Sequence, residues 1–200
     1  GVTIEGFYTR LGDAFVLEEQ APDAAGNLIL LRQNGGGAAV LGATVEARAF
    51  LTQDIQLQAG LTIQDGTYED PVEWAEGQFS DEILRSPHVY GYFASTFRVL
   101  PSTTLSVSGV YTGPMKAPHY AGFIAADRLE QTDAFLETNL KVEVGMPLGA
   151  SAPDVEWFGG VHNVFDAYQD DFDKGADRDA GYVYGPQRPR TVFTGMKVSY

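Results

Sequence analysis

The densest group of side chains that could bind an ion is an acidic stretch near the end of the chain. It contains Asp171, Asp173, Asp177 and Asp179 in two successive Asp-x-Asp-x-Gly units. Carboxylate oxygens in a flexible loop suit calcium, a hard cation that accepts irregular geometry. The bidentate glutamate that closes an EF-hand loop is missing here. We therefore interpret the stretch as a solvated acidic surface loop, with a calcium site as the alternative.

The remaining candidate groups do not form a catalytic or metal-binding pattern. His88, His119 and His162 stand in three separate segments, without the i, i+4 spacing of a paired histidine site. No Gly-x-Ser-x-Gly motif occurs, and residues 35–37, all glycine, lack the Lys-Ser/Thr of a phosphate loop, so a bend or bulge is predicted there. The charged and polar strand residues are interpreted as groups that satisfy one another and water: Glu46, Arg48, Glu137, Asn139, Lys141 and Glu143. The sequence thus predicts no enzyme and, calcium apart, no cofactor.

The composition narrows the possible partners. The 200 residues include 27 Asp and Glu against 13 Lys and Arg, a net charge of −14. Nucleic acid is set aside because phosphate binding needs clustered basic residues. An apolar share of 44% is too high for a disordered chain, and the absence of cysteine excludes disulfides and thiolate chemistry. The chain opens without an initiator methionine, so we expect a mature or excised piece of a longer protein.

Alternation of apolar and polar residues runs through the whole chain, whereas amphipathic helix patterns are missing. The clearest stretches are 55–63, 104–111 and 136–144, and the pattern predicts an all-β fold. No run approaches the roughly 18 apolar residues of a membrane-spanning helix, but a barrel strand crosses a membrane with only about 9 to 11 alternating residues. The alternation is therefore compatible with a transmembrane barrel.

Turn signals divide the chain into eight long predicted strands. These strands cover residues 2–18, 28–51, 55–69, 85–100, 103–116, 133–146, 155–168 and 190–200. The connections alternate between long segments at 19–27, 70–84, 117–132 and 169–189 and short ones at 52–54, 101–102 and 147–154. Long connections at one end and short ones at the other are typical of an up-and-down antiparallel outer-membrane barrel.

The register of the alternation assigns a face to each strand residue, because a slip of one residue would exchange the two faces. The residues predicted to face lipid are Leu57, Leu61, Leu105, Val107, Leu136, Leu140, Val142, Val192 and Val198. The residues predicted to face the lumen are Gln58, Ser106, Glu137, Lys141, Glu143 and Lys197. Aromatic residues gather near the predicted strand ends, as in the interfacial girdles of membrane barrels.

The end of the chain carries the most specific motifs. Asn163 to Asp166 reads Asn-Val-Phe-Asp, and a Gly-Pro-x-x-Pro-Arg run from Gly185 to Arg190 leads into a final strand that ends on Tyr200. This segment resembles the C-terminal end of a TonB-dependent outer-membrane receptor. The resemblance covers essentially the whole chain, but it is specific only in the last third.

The resemblance implies a barrel of about 22 strands around an N-terminal plug, in the bacterial outer membrane. Residues 1–200 would be its C-terminal portion, lacking the plug and the N-terminal strands. The implied function is energy-coupled uptake of a scarce solute such as an iron chelate, cobalamin, a glycan or a peptide. The implied partners are membrane lipid, the plug and other strands of the receptor, the inner-membrane energy-coupling complex and the outer-membrane assembly machinery.

The interpretation as a segment of a receptor barrel predicts roles for two groups of residues. Residues on the long connections are available to bind solute through stacking or apolar contact: Trp74, Phe79, His119, Tyr120, Phe123, Tyr182 and Tyr184. Alternate residues of the final strand form the predicted assembly signal, which an exposed strand edge could capture: Val192, Thr194, Met196, Val198 and Tyr200. Two alternatives stay open, a complete eight-stranded outer-membrane barrel with a structural or adhesive role, and a soluble β-sandwich binding module.

Overall fold

The computed structural model describes residues 1–13, 15–21, 23, 25–27, 29–146 and 154–199. All regular structure in these residues is β-strand. The thirteen strands are β1 Val2–Leu11, β2 Phe15–Gln20, β3 Ile29–Asn34, β4 Ala38–Thr52, β5 Ile55–Ala75, β6 Gln78–Glu82, β7 Val89–Leu100, β8 Thr103–Thr112, β9 Lys116–His119, β10 Arg128–Gln131, β11 Phe135–Met146, β12 Asp154–His162 and β13 Thr191–Ser199. Across the described ranges, no helix is long and apolar enough to cross a bilayer.

Eight strands form one antiparallel meander in the order β1-β4-β5-β7-β8-β11-β12-β13, and β6 pairs with the extension of β5. The connections 52–55 and 100–103 lie at the end of this main sheet where β11 ends and β12 begins, and the four long connections begin and end at the other. The predicted all-β meander and its alternation of long and short connections are confirmed. In the described residues no pairing joins β1 to β13, so the sheet is open with two free edges.

The predicted strand bounds need correction where a long connection begins. The first predicted strand, 2–18, ends at Leu11, because Asp13 adopts a φ of 55° and the chain then enters a separate hairpin of β2 and β3. The glycines at 35–37 interrupt the predicted strand 28–51, as expected of a bend. The predicted strand 155–168 ends at His162. The predicted loops 70–84 and 117–132 contain parts of β5, β6, β9 and β10.

The pairing register gives the main sheet a polar face and an apolar face. Up to the level of Phe7 and Gln64, every charged side chain of the paired main strands lies on the polar face: Glu5, Glu46, Arg48, Arg98, Glu137, Lys141, Glu143, Asp154, Glu156 and Lys197. The residues predicted to face lipid all share the apolar face, and those predicted to face the lumen all share the polar face. The predicted register is therefore correct.

The apolar face is not covered by any second layer in the part of the chain that the structure describes. Val2, Ile4, Val192 and Met196 are between 61% and 76% exposed. A β-sandwich would bury this face against a second sheet. The soluble sandwich alternative is therefore wrong.

Aromatic rings lie over glycines on the polar face. A Cβ atom added at Gly60 would lie 2.5 Å from Cε1 of Tyr92, the cross-strand partner of Gly60. Tyr92 is held in place because its hydroxyl donates to Glu46 at 2.8 Å and accepts from Gln58 at 3.1 Å. The same arrangement joins Phe7 to Gly42, Phe158 to Gly195 and Phe193 to Gly160. Rings that cover strand glycines replace the missing side-chain packing and help to fix register.

We expect Gly60→Ala to destabilise the protein by about 1–3 kcal/mol, because the added methyl group displaces Tyr92 and breaks its hydrogen bonds. Gly6→Ala is the matched control, since nothing lies within 4 Å of a Cβ atom at Gly6. The free energy of unfolding, measured by urea titration of the natural protein in detergent, checks this. Equal stability of the two variants would contradict the packing role of the ring.

Candidate functional site

The long-connection end of the molecule holds most of the buried residues of the described chain. The hairpin of β9 and β10 packs against the fourth connection, residues 163–190. The buried residues of this layer are Met115, Ala117, His119, Thr132, Asn163, Gln169, Asp173 and Tyr182. The main sheet has few buried residues, so these two connections form a small core of their own.

Asn163 turns the chain out of β12 and into the fourth connection. Its side chain is fully buried, and its φ of 50° is in the left-handed region that asparagine tolerates. The Nδ2 atom donates to the carbonyls of Ala167 and Arg188 at 2.9 Å, and Oδ1 accepts from the Ala167 amide at 2.8 Å. Asp166 accepts from the Arg190 amide at 2.7 Å. The Asn-Val-Phe-Asp motif thus ties the start of the fourth connection to its end, and we call this its closing role. The motif lies just past β12, whereas the predicted strand 155–168 included it.

His119 connects the β9–β10 hairpin to the fourth connection. Its Nε2 atom lies 3.0 Å from both carboxylate oxygens of Asp173, and its ring stacks on Tyr182 with a centroid distance of 3.7 Å. The Nδ1 atom has no hydrogen-bond partner and lies 3.6 Å from Oε1 of Glu130. His119, Asp173 and Tyr182 are all at least 95% buried.

Asp171 holds two tyrosines through both carboxylate oxygens. The hydroxyls of Tyr182 and Tyr184 donate to it at 3.0 and 2.8 Å. Burial acts to raise the pKa of Asp171, but hydrogen bonds from Tyr184, Gln169 and Tyr182 outweigh it, and the pKa is lowered. Burial, followed by the bond to Asp171, raises the pKa of both tyrosines above the ordinary value of 10.0. The hydroxyls therefore remain donors across the physiological range.

Two further side chains fix the backbone of the fourth connection. Gln169 is buried, donates to the Tyr182 carbonyl at 3.2 Å and accepts from the Tyr184 amide at 2.9 Å. Arg85, which precedes β7, donates to the carbonyls of Gly181 and Val183 at 2.7 and 3.1 Å. Together with the contact between His119 and Asp173, these bonds join three separate connections, so the layer is a structured platform above the sheet.

The predicted solute-binding residues differ in their exposure. His119 and Tyr182 are buried and bonded to protein groups, so they are not available to contact a solute directly. Half-buried Trp74 and exposed Tyr120 form a pair, with ring centroids 6.2 Å apart and the Tyr120 hydroxyl donating to the Trp74 carbonyl. Phe79 and Phe123 are 60% and 57% exposed. Tyr184 is half-buried and lines a cavity.

The predicted calcium ligands are engaged by different groups. Asp173 accepts from the Asp179 amide, Asp179 accepts from the amides of Tyr120 and Gly181, and Asp177 is exposed. Among the described residues, no group of three or more His, Asp or Glu side chains is arranged to hold a metal ion. The calcium alternative stays a prediction without support from this geometry.

The predicted assembly residues lie on β13. Val192, Thr194, Met196 and Val198 share the apolar face of this strand, which pairs only with β12 in the described sheet. Tyr200 lies outside the described residues.

A shallow cavity of 280 Å³ lies where the fourth connection contacts the polar face of the sheet. Val110, Thr112, Phe135 and Glu137 form its sheet side, and residues 184–186 form its other side. The rings of Phe135 and Tyr184 are 5.9 Å apart at an angle of 51°. Sequence reasoning selected Tyr184 as an exposed aromatic residue, but it could not show that Glu137 lies beside it.

Comparison with solved structures finds this arrangement of strands in the crystal structure of the ferric-catecholate import receptor Fiu from K12 E. coli, in its closed form. The TM-score is 0.66, and the match covers the whole of this chain. The two proteins share the fold, an antiparallel sheet that forms part of the β-barrel of that receptor. Sequence identity is 16%, and the chain spans a quarter of the length of that receptor. No family model and no curated protein sequence matches the chain.

We expect Asn163→Asp to open the fourth connection, because it removes two buried donors and sets a carboxylate against the carbonyls of Ala167 and Arg188. Tryptic cleavage after Arg178 should accelerate at least tenfold. Asp166→Asn is the matched control, because asparagine retains the acceptor for the Arg190 amide and tolerates the φ of 55°. An unchanged rate of tryptic cleavage in the Asn163→Asp variant would contradict the role of Asn163 in tying the ends of the fourth connection together.

We expect the bonds between Asp171 and the two tyrosines to persist over a wide pH range. The lowered pKa of Asp171 maintains their contribution down to below pH 3.8, and the raised pKa values of Tyr182 and Tyr184 maintain it above pH 10.0. The contribution is lost as the pH falls from 3.8 through the lowered pKa of Asp171, or rises from 10.0 through the raised pKa values of the two tyrosines.

Absorbance titration at 295 nm of the natural protein, with Tyr184→Phe as the difference reference, measures when Tyr184 ionises. Asp171→Asn should bring this ionisation closer to pH 10, whereas Asp170→Asn, an exposed neighbour, should not. Ionisation of Tyr184 near pH 10 in the natural protein would contradict the arrangement.

Proposed function

We propose that this chain is part of the wall and outer loop layer of an outer-membrane receptor that takes up a scarce solute by energy-coupled transport. The observation that carries the proposal is the uncovered apolar face of the main sheet, on a fold shared with an import receptor. In water such a face would promote aggregation, whereas in a bilayer its apolar side chains contact the hydrocarbon chains of the lipid.

The height of the apolar face fits a bilayer. In β5 the apolar residues run from Ile55 to Ile63, and the charged residues Asp65 and Glu69 follow on the same face. Nine residues at a rise of about 3.3 Å and a tilt of about 40° span about 23 Å, close to the apolar band of about 25 Å in membrane barrels. Arg10 pairs with Glu69 at 2.6 Å and marks the same border on β1.

The two free edges support a larger barrel. Unpaired backbone groups at β1 and β13 would be very costly in hydrocarbon, so further strands must pair with them. A complete eight-stranded barrel requires β1 to pair with β13, and the described sheet does not have this pairing. Together with the motifs of residues 163–190, the edges support residues 1–200 as the C-terminal portion of a barrel of about 22 strands.

The proposed partners follow from this role. The polar face would line the lumen beside a plug, and the energy-coupling complex would act through the plug. The long connections would face the outside, with Trp74, Phe79, Tyr120 and Phe123 presented to solute. Alternate residues of β13 and Tyr200 would serve as the signal for the assembly machinery. We assign no catalytic role to the chain.

Val107→Arg should reduce membrane insertion, because Val107 lies on the apolar face at mid-sheet, and a charge at bilayer depth costs about 2–4 kcal/mol. Ser108→Arg is the matched control on the polar face, beside Asn139 and Ala94, and should cost less than about 1 kcal/mol. The heat-modifiable folded fraction in outer membranes measures the effect. Equal fractions for the two variants would contradict a lipid-facing apolar surface.

Uptake itself is tested by deleting the natural gene and measuring growth on limiting iron chelates, cobalamin, glycans and peptides. We expect loss of growth on one solute class, restored by the gene and abolished when the energy-coupling complex is absent. Growth on every solute at the wild-type rate would contradict uptake. Loss of cell adhesion instead would favour the structural or adhesive alternative.

A further inference from the structure

The cavity beneath the fourth connection contains a carboxylate that has no ion-pair or hydrogen-bond partner in the described residues. Glu137 lies on the polar face of β11 and lines the cavity together with Phe135 and Tyr184. In the described residues no hydrogen bond or ion pair reaches its carboxylate. On the same strand and face, Glu143 is paired with Lys141 at 2.6 Å. Glu137 is therefore a free negative charge in a half-enclosed site.

The other walls of the cavity are aromatic or apolar. Phe135 and Tyr184 present two rings at 51° to each other, and Val110 and Pro186 supply aliphatic surface. A carboxylate beside aromatic faces attracts an organic cation through charge and through the negative face of each ring. An anion would meet repulsion from Glu137 and from the ring faces.

The site is preorganised for such a ligand. Three contacts hold Tyr184 in place. Its hydroxyl donates a hydrogen bond to Asp171 at 2.8 Å, and its backbone amide donates one to Gln169. Its ring also contacts that of Tyr182, with 5.4 Å between the ring centroids. Gly185 allows close approach, since a Cβ atom there would lie 2.9 Å from the Phe135 ring. Binding would therefore require little further ordering of the rings.

The surrounding charge favours a cation as well. Residues 12–37, 66–88, 113–134 and 163–190, which make up the long-connection end, contain 19 Asp and Glu against 8 Lys and Arg, a net charge of −11. A potential of this sign raises the local concentration of cations at the mouth of the site. The cavity is smaller than the roughly 300–1,000 Å³ of typical small-molecule pockets, so it suits one group of a larger solute.

We infer that this cavity binds an alkylammonium group, with Glu137 as the counter-ion and Phe135 and Tyr184 as the aromatic walls. The inference rests on the proposed function, because it takes the polar face as the lining of the lumen through which the solute passes. It selects cationic solutes among those that such a receptor could import, and it disfavours anionic chelates.

Choline is the probe, and 3,3-dimethyl-1-butanol is its uncharged analogue of the same shape. Saturation-transfer NMR on the natural protein in neutral detergent should give a dissociation constant on the order of 1 mM for choline and at least tenfold weaker binding of the alcohol. Glu137→Gln should weaken choline binding at least tenfold and leave the alcohol unaffected. Phe135→Leu should weaken choline binding as well.

Glu143→Gln is the matched control, since it removes a carboxylate from the same strand and face outside the cavity. Equal binding of choline and the alcohol, or equal effects of the two glutamate substitutions, would overturn the inference. So would an absence of choline binding, which would mean that another part of the natural protein fills the cavity. Purified protein is used, so failure of binding is distinguishable from failure of uptake, which the deletion strain measures.

Discussion

Every strand of the main sheet must pair the N–H and C=O groups of its backbone with a neighbouring strand, while its two faces have different surroundings. Antiparallel pairing satisfies the backbone groups between β1 and β13, and the period of two sorts the side chains. Charged residues then enter the middle of the main strands only at alternate positions, as Lys141 and Glu143 do. The faces, the length of the strands and the position of the connections all depend on this constraint.

The fourth connection, which forms part of the platform, solves a different problem, because residues 163–190 are irregular and lack ladder hydrogen bonds. Side chains replace the ladder there: Asn163 and Gln169 bind backbone groups, and Arg85 binds two carbonyls from a neighbouring connection. Each is satisfied within the protein, as buried polar groups need to be. A structured platform holds exposed rings at defined positions, as at Phe123 in the turn between β9 and β10.

The sequence predicted what depends on local pattern and missed what depends on distant contacts. The alternation at 104–111 and 136–144 predicted the strands, their faces and their order in a meander. His119 and Tyr182 were expected to contact solute because they are aromatic residues on connections. They are buried because Asp173 lies 54 residues from His119 in sequence yet bonds to its ring, and no spacing rule reveals that. Asn163 was recognised by its motif, but its closing role required the positions of Ala167 and Arg188.

The rings that lie over glycines affect the space beside the wall. A strand residue with an ordinary side chain projects away from the sheet, whereas Tyr92 lies against the backbone of Gly60 and Phe193 against that of Gly160. Each pair thus supplies aromatic packing with little added thickness. A wall built in this way is thin on its polar side, so the space beside this face is wider than ordinary side chains would leave.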